Sequence, residues 1–189
     1  ITLINELERH MNELHHDNEE LAGVSRTDEL TGLLNRRGFY QEAQELVKRS
    51  KTSSAYAVMV FADLDYLKYI NDRYGHSEGD YALKASAELL KKIFRSTDVI
   101  GRTGGDEFNI MAIVGEEADI EQKILERKQT FVDELNKTCG KPYRIDLSMG
   151  IYEFKCAEIA DLSAIIEKAD NKLYEVKRVR KYNPYIDEA

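Results

Sequence analysis

The stretch Ala55–Asp65, AYAVMVFADLD, is the part of the sequence that decides the fold. Its first eight residues are nearly all apolar, as expected for a strand that is buried on both faces of a sheet. Two carboxylates, Asp63 and Asp65, follow at the end of that strand, where they are poorly placed for core packing. Because Mg²⁺ prefers oxygen ligands of this kind, the pair indicates a cation site at the edge of the sheet.

A second acidic pair, Asp106 and Glu107, lies directly after Gly104 and Gly105. Short strand patterns flank these glycines, and glycine adopts the positive φ values that tight hairpin turns require, so we expect a hairpin with its turn at 103–105. The hairpin is expected to bring the acidic pair beside Asp63, so that three or four carboxylates converge. Such a convergence is unfavourable unless a metal neutralises it, which favours a two-metal site for phosphoryl transfer. The alternative is two ordinary surface turns that bind no metal.

The segments around these two stretches alternate helical and strand patterns. This order predicts an α/β (α+β) sandwich in which helices flank a mixed, mainly antiparallel central sheet. We expect Asn35 to cap the first helix of the domain and Gly75–Gly79 to form a turn. The predicted helices cover 36–50, 66–74, 80–94, 116–138 and 161–182, and the predicted strands cover 55–62, 99–102, 107–114 and 143–153.

Residues 1–24 show a different pattern, a narrow apolar stripe with heptad spacing. Its members are Ile4, Leu7, Met11, Leu14, Asn18 and Leu21. A narrow stripe suits a partner helix, and a buried Asn at position 18 can fix the register of such a pair. We therefore divide the chain into a dimerising linker helix, 1–24, and a globular domain, 25–189. The alternatives are an amphipathic helix packed on its own domain and a purely structural coiled-coil module.

The composition excludes some classes of partner. The chain has 189 residues and a formal net charge of -8, which argues against binding to a nucleic acid polymer. It contains no apolar run of the roughly 20 residues that a membrane helix needs, so we expect no membrane contact. The chain begins at Ile1 rather than Met. We expect a cytoplasmic part of a longer protein, with a sensory domain upstream and a membrane anchor as one possibility for the longer chain.

Five motifs in a fixed order resemble the GGDEF diguanylate cyclase family. They are DELTGLLNRR at 28–37, DLDYLKYIND at 63–72, GHSEGD at 75–80, RTGGDEF at 102–108 and ADNKLYEVK at 169–177. The resemblance covers about 28–183 and implies a fold of the nucleotide-cyclase or palm type. It also implies that two GTP molecules are condensed into cyclic di-GMP and pyrophosphate.

The resemblance assigns the metal and catalytic positions. Asp63, the backbone carbonyl of Leu64, Asp106 and Glu107 match the family's ligands for Mg²⁺ or Mn²⁺. Asp106 also matches the group proposed to deprotonate the attacking 3′-hydroxyl, and Asp63, Asp106 and Glu107 are therefore the expected catalytic set. Two metal ions stabilise both the attacking and the leaving oxygen of such a displacement.

The same resemblance places the substrate. Asn71 and Asp80 match the guanine-binding pair, and a carboxylate at Asp80 accepts both adjacent donors of guanine. An alternative for Asp80 is a helix N-cap after Gly79. Lys68, Lys177 and Lys181 match basic positions near the phosphates, although Lys68 is also explained as a solvated side chain. Gly104 and Gly105 are expected to let the backbone approach the phosphates.

Arg95 and Asp98 match an RxxD site at which the product inhibits enzymes of this family. The alternative is a surface ion pair of little energetic weight. The closing motif departs from the family, because Arg180, Lys181 and Tyr182 replace its usual Gly, Arg and Asn. The resemblance implies a homodimer, since each domain holds one GTP and the product joins two. The rival hypothesis is a weak or inactive module that binds GTP or cyclic di-GMP as a receptor.

Overall fold

The computed structural model describes residues 25–50, 55–115, 119–158 and 161–179. The strands are β1 (Tyr56–Leu64), β2 (Val99–Arg102), β3 (Glu107–Val114) and β4 (Leu147–Lys155). The helices are α1 (Arg36–Ser50), α2 (Leu67–Tyr74), α3 (His76–Ile93), α4 (Ile120–Thr138) and α5 (Leu162–Val179), with a short 3₁₀ turn at Cys156–Glu158. The predicted heptad helix, 1–24, lies outside the described residues.

The four strands form one sheet in the order β2-β3-β1-β4, and every pair of neighbours is antiparallel. An isolated parallel bridge also joins Leu34 to Gly101. The apolar strand β1 therefore lies inside the sheet, as its unbroken run of apolar residues predicts. The predicted α+β sandwich with a mainly antiparallel sheet is confirmed.

Each face of the sheet is covered by its own layer of helices. On one face, alternate residues of β1 pack with α2, α3 and α4; they are Val58, Val60, Ala62 and Leu64. On the other face, Ala57 and Met59 pack with α1 and α5. Because successive side chains of a strand point to opposite faces, Asp63 belongs to the face that carries α1 and α5.

Two local predictions are wrong. The stretch Gly75–Gly79 is not a turn, because α3 begins at His76 and Gly75 alone, with φ +91°, turns the chain. Asp80 therefore lies inside α3, and the N-cap alternative for this residue is excluded. Neither Gly104 nor Gly105 has a positive φ. The hairpin of β2 and β3 does form, but its connection spans Thr103–Asp106, one residue longer than the predicted turn at 103–105.

Other boundaries agree with the sequence or move by a few residues. Asn35 caps α1 as predicted, since its Oδ1 accepts a hydrogen bond from the Gly38 amide at 3.0 Å. Strand β4 begins at Leu147, later than the predicted 143–153. Its alternating residues still share one face with Ile145, since all belong to the same apolar cluster. In the described part of the chain, no helix is both long and apolar enough to cross a membrane.

Candidate active site

The two predicted acidic pairs meet at one end of the sheet. Asp63 lies directly opposite Glu107 in the antiparallel register of β1 and β3, which places both side chains on the same face. The amide of Leu64 donates to the backbone carbonyl of Asp106 at 3.0 Å, which joins the end of β1 to the loop before β3. The DLD and GGDEF stretches are thus joined by backbone contacts, as the predicted hairpin required.

Gly104 and Gly105 have different surroundings. A Cβ atom at Gly104 would lie 2.3 Å from Glu107 Oε2, so the Glu107 side chain occupies the space above this glycine. A Cβ at Gly105 would have no atom within 4 Å. Gly104 therefore makes room for a predicted metal ligand, whereas the open side of Gly105 leaves room for a substrate.

Asp63 is paired with Lys177 of α5. Lys177 Nζ lies 2.7 Å from Asp63 Oδ1. Helix α5 can reach this point because it crosses β4 very closely at Gly150, where a Cβ would lie 2.2 Å from the Ala169 carbonyl oxygen. Burial raises the pKa of Asp63 above its ordinary value, the charges of Asp106 and Asp65 add to the rise, and Lys177 opposes it.

The acidic residues do not form a closed metal cage. Among the described residues no group of three or more Asp, Glu, His or Cys side chains is arranged to hold a metal, so the expected convergence of three or four carboxylates is not present. The donor set still fits Mg²⁺ or Mn²⁺, because these ions bind through one or two carboxylates and complete their shell with water and phosphate oxygens. Asp63, Glu107, Asp106 and the Leu64 carbonyl can supply such oxygens, and the Lys177 ammonium is a cation already paired with one of them.

Arg102, which the sequence motifs did not mark as a site residue, holds the GGDEF loop in place. Its guanidinium donates to both carboxylate oxygens of Asp28 at 3.2 and 3.1 Å and to the Gly105 carbonyl at 2.8 Å. Asp28 also accepts from the Thr31 amide and hydroxyl at 2.9 and 2.6 Å. Although burial raises the pKa of Asp28, the hydrogen bonds from Thr31 and Arg102 bring it below its ordinary value. The first and fourth motifs are thereby joined.

The predicted guanine pair is brought together where α2 meets α3. A Cβ at Gly79 would lie 1.9 Å from Asn71 Oδ1, so the Asn71 side chain rests on the backbone of α3 next to Asp80. Asp80 is exposed and Asn71 is half-buried. Gly79 is the residue that permits this approach. The glycine in GHSEGD was visible in the sequence, but its contact with α2 was not.

The other two predicted phosphate contacts are Lys68 and Lys181. Lys68 is exposed on α2, at the same end of the sheet as the acidic residues. Lys181 lies outside the described residues. The structure thus assembles Asp63, Glu107, Lys177 and the Asp106 backbone at the strand ends, with Asn71 and Asp80 on the adjoining helices.

The predicted inhibitory site lies apart from these residues, between α3 and β2. Asp98 accepts a hydrogen bond from the Arg95 amide at 2.7 Å, and both residues line an open cavity of about 600 Å³ together with Lys91. Burial raises the pKa of Asp98, and the charges of Arg95 and Arg127 oppose the rise. Arg127, on α4, was not predicted; it is 29 residues after Asp98 along the chain, and nothing in the local pattern marks it.

The chain is similar to a known protein family and to curated members of it. The family model described as "Diguanylate cyclase, GGDEF domain" matches residues 25–183. Diguanylate cyclase DgcP of Escherichia coli strain K12 is 33% identical over 174 residues, which are 92% of this chain and 51% of the relative. Diguanylate cyclase DgcS of Shewanella oneidensis strain MR-1 is 30% identical over 159 residues, 84% of this chain and 52% of the relative. The chain spans about half the length of these two curated relatives.

Solved structures agree with this likeness. The coiled coil and GGDEF domain of DgcB from Caulobacter crescentus, in complex with c-di-GMP, superposes with a TM-score of 0.69 at 25% identity and covers 95% of this chain and 96% of that chain. Diguanylate cyclase SiaD of Pseudomonas aeruginosa, in complex with its activator SiaC, gives a TM-score of 0.68 at 27% identity and covers 94% of this chain and 68% of that chain.

Proposed function

Since this chain belongs to the GGDEF domain family, we propose that it is a diguanylate cyclase, which condenses two GTP molecules into cyclic di-GMP and releases pyrophosphate. The observation that carries the proposal is the pairing of Asp63 with Glu107 at the strand ends, beside the Asp106 backbone and the Lys177 ammonium. This is an arrangement of oxygen donors and one cation suited to a metal-bound triphosphate.

In the proposed reaction, the metal ions and the chain's own side chains have separate roles. Bound Mg²⁺ or Mn²⁺ would supply charge neutralisation of the attacking and leaving oxygens. Asp63, Asp106, Glu107 and the Leu64 carbonyl would hold the metal. Asp106 would also take the proton of the attacking 3′-hydroxyl. Lys177, whose Nζ lies 2.7 Å from Asp63 Oδ1, would also contact the phosphates, since an ammonium group has three hydrogen-bond donors. The open side of Gly105 leaves room for the phosphates.

Guanine selection is assigned to Asn71 and Asp80. The exposed Asp80 carboxylate can accept hydrogen bonds from the N1–H and the 2-amino group of guanine, two adjacent donors that adenine lacks. Asn71 offers both a donor and an acceptor beside it. Lys68 and Lys181 are proposed as further phosphate contacts. The replacement of the family's usual Arg by Lys181 retains a charge but loses a bidentate contact.

We further propose that the active form is a homodimer and that cyclic di-GMP inhibits it at Arg95 and Asp98. A product assembled from two GTP molecules requires two domains facing each other, and the heptad pattern of 1–24 would bring them together. The open cavity at Arg95 and Asp98 has the size and the basic side chain that a nucleotide phosphate requires. A domain that uses GTP would act in the cytoplasm, under the control of a sensory domain elsewhere in a longer protein.

The test is GTP turnover with Mg²⁺ at low and high protein concentration, with products separated by chromatography. The expected result is cyclic di-GMP at a specific rate that rises with protein concentration, because dimers form. GTP binding without any product at either concentration would contradict the cyclase and favour the receptor hypothesis. A specific rate independent of concentration would contradict only the requirement for dimer formation in this range.

A further inference from the structure

A cluster of polar and aromatic side chains supports the corner between α2 and α3, and no role assigned above involves it. Glu78 lies in the first turn of α3. Its carboxylate accepts hydrogen bonds from the Tyr143 hydroxyl and from Lys141 Nζ, the latter at 2.8 Å. The Tyr143 hydroxyl also lies 3.3 Å from the Glu78 carbonyl. These contacts fix the start of α3 to the loop that joins α4 to β4.

The same loop contacts α2. The rings of Tyr74, the last residue of α2, and Tyr143 lie 5.1 Å apart, and the Tyr74 hydroxyl donates to the Pro142 carbonyl at 3.4 Å. Lys141 Nζ also lies 4.1 Å from the centre of the Tyr81 ring on α3. The loop segment 141–143 therefore holds both helices at once.

The supported corner is the one that carries the proposed guanine pair. Asn71 precedes Tyr74 by about one helical turn, and Asp80 follows Glu78 by two residues. The Asn71 side chain touches the backbone of α3 at Gly79, so the distance between Asn71 and Asp80 depends on the angle at which α2 meets α3. A change in that angle would separate the two groups that must contact one base.

We propose that Glu78, Lys141 and Tyr143 are positioning residues for purine recognition, which hold Asn71 and Asp80 at the spacing that a guanine edge requires. This inference rests on the proposed function for the identity of the base. Burial and the neighbouring Glu78 charge both raise the pKa of Tyr143, so its hydroxyl stays protonated and remains a donor. The contact therefore persists through the neutral range of pH.

The experiment compares GTP with ITP, whose base lacks the 2-amino group. Wild-type protein is expected to prefer GTP in kcat/KM by about tenfold or more, because a hydrogen bond to a carboxylate is lost with ITP. Dissociation constants are measured in parallel with the α,β-methylene analogues of both nucleotides. These analogues cannot react at the bond that the cyclase breaks.

The variants are Glu78→Gln, which removes the charge that pairs with Lys141 and weakens the acceptor of the Tyr143 hydroxyl, and Tyr143→Phe, which removes the donor. In both variants we expect the preference for GTP over ITP to fall from about tenfold to about threefold. This corresponds to losing about half of the free-energy difference between the two nucleotides. Lys141→Arg keeps the charge and is expected to retain the preference. The matched control is Glu88→Gln, which breaks the exposed Glu88–Lys91 pair of 2.7 Å farther along the same helix. Thermal unfolding of each variant separates a loss of stability from a loss of selectivity.

The outcomes separate this inference from the proposed function. A lower GTP preference in Glu78→Gln and Tyr143→Phe, with Glu88→Gln unchanged, supports the inference. An unchanged preference in both variants overturns it and leaves the cyclase proposal intact. A wild-type protein that makes no cyclic di-GMP contradicts the proposed function, while the binding ratio of the analogues still tests the positioning role. A wild type that binds neither analogue overturns both.

Discussion

The phosphate end and the base end of the proposed site are built in different ways. At the phosphate end, Asp63 and Glu107 project from paired strands and are half-buried, and Asp63 is paired with Lys177. At the base end, Asp80 is exposed on a helix and its spacing from Asn71 follows from how two helices pack. The phosphate end therefore depends on charge compensation in a rigid sheet. The base end depends on the angle between α2 and α3, and this angle depends on the absence of a side chain at Gly79, where Asn71 packs.

The largest expected effect is at the phosphate end. Gly104→Ala would place a methyl group 2.3 Å from Glu107 Oε2 and displace this carboxylate. We expect turnover to fall by about 10²-fold, the order found when one group that stabilises developing charge is removed. Mn²⁺ affinity, measured by calorimetry, is expected to fall as well.

Gly105→Ala is the matched control for that change. Its methyl group meets no atom within 4 Å, and the backbone there has no positive φ, so the metal ligands stay in place. We expect unchanged Mn²⁺ affinity with a higher KM for GTP. Equal losses of Mn²⁺ affinity in both variants would show that Glu107 does not depend on Gly104.

A smaller effect is expected at the base end. Gly79→Ala would place a methyl group 1.9 Å from Asn71 Oδ1 and push α2 away from α3. The expected result is a rise of about tenfold in the KM for GTP, equivalent to one hydrogen bond, with a smaller change in kcat. Ser77→Ala, an exposed position in the same helical turn, serves as the control. A fall in kcat with KM unchanged would contradict a role in base binding.

The link between the first motif and the GGDEF loop should appear in the pH dependence of stability. The pKa of Asp28 is lowered on folding. The ionised carboxylate therefore makes its full contribution to the free energy of unfolding above the unfolded pKa near 3.8. This contribution is lost as the pH falls through the lower pKa of the folded state. We expect Asp28→Asn to reduce the free energy of unfolding by about 1–3 kcal/mol at pH 7 and to cost progressively less below pH ~4.

Urea denaturation at several pH values measures this difference. Glu29→Gln, an exposed neighbour, is the control. A loss of stability in Asp28→Asn that does not change between pH 7 and pH ~3 would show that the charge of Asp28 is not the cause.

The smallest expected effect lies between the two ends. Tyr66, which connects β1 to α2, has φ 61° and ψ 25°, a left-handed conformation that Asn adopts more readily than Tyr. Tyr66→Asn is expected to stabilise the protein by about 0.5–1 kcal/mol. Tyr66→Ala removes the ring but keeps the unfavourable conformation, so it should bring no gain. If Tyr66→Ala raised thermal stability as much as Tyr66→Asn does, the gain would come from removing the ring and not from relieving the left-handed backbone conformation.

Features fixed by local patterns could be predicted from the sequence, and features fixed by tertiary contacts could not. The apolar run of β1 identified a central strand, and Asn35 identified a helix start, because burial and capping act within a few residues. The start of α3 was missed, since Gly79 reads as a turn residue although its role is to contact Asn71. Local propensity was overridden there by packing.

The candidate site shows the same division. Motif matching identified Asp63, Asp106 and Glu107, and the register of β1 and β3 brings the motifs together. The partner of Arg102 is 74 residues away, so no local pattern could identify it. Gly104 was expected to adopt a positive φ, but the structure shows that the glycine provides space for Glu107.

The central claim is that the strand-end carboxylates carry out metal-dependent condensation of GTP. The most direct test measures cyclic di-GMP formation with Mg²⁺ by wild-type protein and by Asp106→Asn at the same high concentration, with thermal unfolding as a check on folding. We predict product from the wild type and a fall of at least ~10²-fold in the variant, with an unchanged melting temperature. Product formation by the folded variant within a few-fold of the wild type would contradict the claim.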